Sequence, residues 1–87
     1  MTKKNSKVER IEMTYTGKGG TAATHATADK LQDVIKGRLD WLDLVNVRVS
    51  EGDVTVTFNC PDGLVPDGLG YVDLVASDLD LERIWRN

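Results

Sequence analysis

Eighty-seven residues supply one hydrophobic core and not two, and 40% hydrophobic with 29% charged side chains is the balance of a folded globular chain rather than a disordered one. The net charge of −3 is unevenly spread: residues 1–20 hold five basic and two acidic groups, residues 21–50 four of each, and residues 51–87 eight acidic groups against Arg83 and Arg86. A single cysteine, Cys60, excludes an intramolecular disulfide and a cysteine-based zinc site, and no window approaches the roughly 20 apolar residues that span a bilayer.

Residues 1–7 are polar and carry Lys3, Lys4 and Lys7; they are expected to form a disordered basic tail. No apolar run follows those lysines as a signal peptide requires, and the chain is expected to be cytoplasmic. From Val8 to Thr16 the pattern alternates, with Ile11, Met13 and Tyr15 on one side and Arg10, Glu12 and Thr14 on the other, which predicts a half-buried strand. Gly17 to Ala26 reads as a loop, and Thr27 as the N-cap of a helix of about four turns. Ala28, Leu31, Ile35, Leu39 and Leu42 form the apolar stripe of that helix. Gly37 inside it implies a close backbone approach to a neighbour, since a mid-helix glycine costs about 1 kcal/mol relative to alanine.

Val45, Val47 and Val49, then Val54, Val56 and Phe58, alternate with polar residues on both sides of Glu51-Gly52. A two-residue turn pairs Val49 with Val54, Val47 with Val56 and Val45 with Phe58, apolar against apolar; a three-residue loop sets the valines against polar partners. The sequence Pro-Asp-Gly-Leu occurs at 61–64 and again at 66–69, which predicts two successive turns in an exposed loop. Tyr71 to Ala76 reads as a further strand, and Ser77 as the N-cap of a short C-terminal helix, with a strand through Leu79, Leu81 and Trp85 as the alternative. The expected fold class is α+β: residues 8–87 form a single small β-α-β-β(-β)-α domain, one mixed or antiparallel sheet with one main helix packed on one face.

Motifs that carry chemistry are sparse. Lys18-Gly19-Gly20-Thr21 resembles the start of a deviant Walker phosphate loop, but Ala23 stands where the second lysine belongs. His25, the only histidine, has no orienting carboxylate or nucleophile at a legible spacing, and Cys60 before Pro61 reads as a half-buried strand end. Asp62, Asp67, Asp73, Asp78, Asp80 and Glu82 lack the Asp-x-Asp-x-Asp-Gly run and closing glutamate of a calcium loop. No catalytic residue, metal or cofactor is therefore assigned. Trp41, Tyr71 and Trp85 are the large amphipathic aromatics; one or two belong in a core, and Trp85, near the end of the chain, is a candidate interface anchor.

These features point to a small non-enzymatic protein-binding module, an inhibitor, adaptor or regulator of the kind phage genomes encode. It is expected to dock an acidic face (Asp62, Asp67, Asp73, Asp78, Glu82 and Trp85) onto a basic, nucleic-acid-handling partner protein. Direct nucleic-acid binding is not expected from a net acidic chain without interleaved aromatics. The alternative is a homo-oligomeric assembly component, possible as a homodimer, that pairs through a sheet edge.

Overall fold

The computed structural model describes residues 8–84. Chain order is β1 (Val8–Gly17), a 3-10 turn (Lys18–Gly20), α1 (His25–Arg38), β2 (Asp43–Ser50), β3 (Asp53–Pro61), a second 3-10 turn (Asp62–Leu64), α2 (Val65–Asp78) and β4 (Leu81–Arg83). The four strands make one sheet in the order β2-β3-β1-β4, and every neighbouring pair is antiparallel. Each helix therefore crosses from one strand to another running the same way, with a third strand paired between them: β3 lies between β1 and β2, and β1 between β3 and β4. Two such split β-α-β units are the connectivity of ferredoxin-like sheets.

The strands follow the alternation of their side chains. In β1, Met13 and Tyr15 are buried, and Ile11 packs against them; in β3, Val54, Val56, Phe58 and Cys60 are buried, and the residues between them are not. Antiparallel register puts Met13 opposite Val56 and Tyr15 opposite Val54, so the two strands present one continuous apolar face. Ala28, Leu31 and Ile35 of α1, then Val72, Val75 and Ala76 of α2, close over that face, and no polar or charged residue is buried among the described residues.

The hairpin forms as expected around Glu51-Gly52, with Val49 opposite Val54 and Val47 opposite Val56. Both turn residues have positive φ, 53° at Glu51 and 82° at Gly52, which is the primed-turn geometry that matches strand twist. One pair differs. The register shifts between Leu44 and Asn46, so Leu44 rather than Val45 faces Phe58, and Val45 bulges out exposed.

Helix α1 starts earlier than expected. Its N-cap is Thr24, whose hydroxyl accepts the Thr27 N–H at 3.3 Å, so Thr27 lies inside the first turn and the helix ends at Arg38. Gly37 is not at a close approach either: it is exposed, and a Cβ there meets nothing within 4 Å.

The largest correction lies between Pro61 and Ala76. The first Pro-Asp-Gly ends β3 and turns the chain, but the second opens α2, with Pro66 in the first turn, where its missing N–H removes no helical bond. Gly68, Val72, Val75 and Ala76 are buried at helical spacing, so Tyr71–Ala76 is helix and not strand. The α+β class and the antiparallel sheet stand as expected, and α2 joins the main helix α1 in covering the sheet, packed against β3, β4 and α1 itself. Ser77, expected to start a helix, sits in the last turn of α2; its backbone oxygen and hydroxyl both lie within 3.3 Å of the Lys18 ammonium. After Asp80, at φ 60°, the chain enters β4 (Leu81–Arg83), so the strand alternative holds at Leu81, whereas Leu79 caps α2 and Trp85 lies outside the described residues.

Candidate functional site

Lys18 of the glycine loop bonds the C-terminal turn of α2, where a cation complements the helix dipole. His25 is the exposed first residue of α1. Cys60 is fully buried beneath α2, and burial, followed by the negative charges of Asp67 and Glu9, pushes its thiol pKa up, the wrong direction for a nucleophile. Among the described residues no three His, Cys, Asp or Glu side chains are grouped to hold a metal ion, and no helix is long and apolar enough to cross a membrane.

Among the described residues a hollow of about 490 Å³ lies between the glycine loop and the end of α2, and two larger faces stand beside it. The sheet face turned away from the helices carries Arg10, Glu12, Thr14, Arg48, Thr55 and Thr57, with the Thr14 and Thr55 hydroxyls 3.2 Å apart at its centre. A polar depression of about 490 Å³ lies there, lined by Glu12, Arg48, Ser50, Asp53 and the two threonines. Sheets of this connectivity that bind RNA stack bases on aromatic side chains of that face, and here threonines occupy the middle. Its charges are of both signs and select no ligand class.

The second surface is the outer face of α2. This helix is apolar on more than its buried side: Tyr71 is 50% exposed and Leu74 62%, and with Pro66 and Gly70 they line a shallow hollow of about 390 Å³. Trp41, from the connection between α1 and β2, meets Tyr71 edge to face at 6.2 Å and is itself 38% exposed. Aromatic rings grouped with aliphatic side chains into one exposed, polar-rimmed patch are what contact surfaces carry. Asp67 lines the hollow, Asp78 stands one turn beyond Leu74 on the same face, and Asp62 lies in the 3-10 turn leading into the helix; all three are exposed. α2 contains no lysine or arginine. The result is an apolar stripe two turns long with acids at its rim.

The six expected contact residues separate on this frame. Asp67 and Asp78 belong to the α2 surface, and Asp62 is exposed in the turn that leads into it. Asp73 turns inward: Tyr15 Oη donates to its Oδ1 at 2.7 Å, and Arg83 Nη1 stands 3.6 Å from Oδ2, a network that ties β1, α2 and β4 together. Burial first, and then the Asp73 bond and charge, push the Tyr15 phenol pKa well above its ordinary value. Glu82 pairs opposite Thr16 and alternates with inward-facing Leu81 and Arg83, so it stands on the open sheet face, apart from α2. Trp85 lies outside the described residues. Among the described residues Trp41 and Tyr71 are both exposed, and the buried aromatics are Tyr15 and Phe58. Pro66, Gly70, Tyr71, Leu74 and Trp41 were not expected in a contact surface; a helical reading of residues 65–78 aligns the four from α2 on one face.

Compared with family models, curated proteins and solved structures, the chain matches none.

Proposed function

We propose that this chain is a non-enzymatic protein-binding module, a cytoplasmic inhibitor, adaptor or regulator that docks through α2 onto a partner protein with a basic surface. The observation that carries the reading is the unpartnered stripe of Tyr71, Leu74 and Trp41 rimmed by Asp62, Asp67 and Asp78. Apolar area at the centre supplies affinity, and complementary charge at the rim speeds encounter and selects against wrong partners.

The test is site-specific photo-crosslinking in the host from position 74, with position 29 on the exposed side of α1 as control. The expected result is one discrete adduct from position 74 and none from position 29, lost at high salt and in a Tyr71→Asp variant that melts like the parent. Adducts from both positions, or one unchanged by Tyr71→Asp, refute the reading.

A homo-oligomer paired through a sheet edge is the second reading. It is supported by β2, an eight-residue outer strand without proline, although the bulge at Val45 interrupts its regular edge. Light scattering across a hundredfold dilution decides it: a stable dimer that a Val47→Pro substitution splits supports edge pairing, and a monomer throughout eliminates it.

A further inference from the structure

Gly68 and Gly70 lie two residues apart in α2, and only one of them is accounted for by the domain's own packing. A Cβ on Gly68 would sit 3.2 Å from Cys60 Sγ, 3.4 Å from Leu42 Cδ2 and 3.6 Å from Phe58 Cε2, so the absent side chain lets the helix close onto β3. A Cβ on Gly70 meets nothing within 4 Å. Glycine is the worst helix former after proline, so this position lowers helix stability with no gain inside the molecule. What it leaves is a notch, with Pro66 one turn before it, Leu74 one turn after, and Tyr71 and Asp67 beside it. Residues four apart form the rows between which a second helix lays its own ridge, and a glycine in such a row lets that ridge come closer.

Resting on the protein-binding reading above, we infer that the occupant of the α2 face is an amphipathic helix of the partner, its apolar ridge seated in the Gly70 notch. Its flanking lysines or arginines meet Asp62, Asp67 and Asp78. The span from Pro66 to Leu74 is about 12 Å, two helical turns, which matches an i, i+3, i+4, i+7 set of anchors on a facing helix. Charge separates this occupant from the others. A second copy placing α2 against α2 brings Asp67 and Asp78 toward acids, since α2 holds no cation to meet them. Nucleic acid and anionic lipid are repelled by the same rim. The chain's own lysine-bearing segment, residues 1–7, offers Met1 as its one apolar side chain, too little to fill a stripe two turns long.

The experiment uses the full chain with Trp85→Phe, which leaves Trp41 as the sole tryptophan and a reporter on the edge of the notch. It is titrated with a Leu/Lys model helix of about 18 residues, leucines at i, i+3, i+4 and i+7, and with a matched Leu/Glu helix. The expected result is a saturable change in Trp41 emission with the Leu/Lys helix and none with the Leu/Glu helix. Asp62→Asn, Asp67→Asn and Asp78→Asn together should weaken binding about tenfold or more at low salt. Gly70→Leu should abolish it and Gly70→Ala weaken it, both with thermal melts no lower than the parent's. Equal binding of the Leu/Glu helix, or unchanged binding in Gly70→Leu, overturns the inference. If neither model helix binds while the crosslink from position 74 persists, the helical occupant is wrong and the protein-binding reading stands; if that crosslink is absent too, both fall.

Discussion

Replacing Gly68 and Gly70 by alanine, one at a time, asks whether α2 sits as close to the sheet as its packing requires. Both are the same chemical change in the same helix, and each gains up to about 1 kcal/mol of helix propensity. At Gly70 the new methyl projects into open space, so most of that gain should survive, about 0.5–1 kcal/mol. At Gly68 the methyl arrives 3.2 Å from the sulfur of Cys60, which is fully buried under the helix and flanked by Leu42 and Phe58. Relieving that contact lifts the helix or displaces a core side chain, an overpacking penalty of about 1–3 kcal/mol that exceeds the propensity gain. The expected net effect is a loss of about 1 kcal/mol. A domain of this size shifts by about 4–8 °C per kcal/mol, so melts followed by circular dichroism should separate the two variants by roughly 10 °C. Urea midpoints should move in the same two directions without a change of slope. If Gly68→Ala is as stable as Gly70→Ala, α2 does not rest on Cys60 and Phe58, and the placement of the docking stripe above it loses its support.

The other expectations concern the network, the thiol and the turn. Tyr15→Phe removes a charge-assisted bond to Asp73, a carboxylate that keeps some solvent and Arg83, so destabilisation of about 1–2 kcal/mol is expected in urea unfolding. The Tyr15 phenol has a raised folded-state pKa, so its contribution is complete below the unfolded value of about 10 and falls as pH rises beyond it, by up to about 1.4 kcal/mol per pH unit. Stability measured from pH 8 to 11.5 should therefore drop more steeply in the parent than in Tyr15→Phe; parallel curves contradict the buried phenol. Cys60 should react with a thiol reagent only through opening of the α2–β3 contact, so its labelling rate should rise in Gly68→Ala and slow in Gly70→Ala. Glu51→Asn, at φ 53°, relieves a left-handed residue in the hairpin turn and should raise stability by about 0.5–1 kcal/mol, whereas Gly52→Ala, at φ 82° and 3.1 Å from the Ala22 Cβ, should lower it by at least about 1 kcal/mol.

Much of the fold was legible in local pattern. Ile11, Met13 and Tyr15 alternate in a strand that has to bury one face, and the Glu51-Gly52 turn leaves one register in which valine meets valine. The apolar spacing of α1 likewise suffices for a helix through Ala28, Leu31 and Ile35, but Leu39 and Leu42, expected on the same stripe, follow its end at Arg38, and Thr24 rather than Thr27 caps it. Those readings succeed because the period of the side chains and the chemistry of the turn are short-range properties.

Residues 61–83 were not legible in the same way, and the reason is specific. Tyr71-Val72-Asp73-Leu74-Val75-Ala76 is apolar at positions that suit either period, and Pro-Asp-Gly begins a turn or a first helical turn equally well. The choice is made at long range. β1 pairs with β4 on one side and β3 on the other, and the apolar half of that sheet needs a cover which only a helix seated through Gly68 supplies. That choice also decides the surface. As a strand, the segment puts Tyr71, Asp73 and Val75 on one side; as a helix, it turns Asp73 inward to Tyr15 and sends Tyr71 and Leu74 outward beside Trp41. Composition alone determined that the C-terminal half of this chain is acidic. Which of those acids rim an apolar stripe, and which is held by Tyr15 and Arg83, depended on the packing of α2 against the sheet.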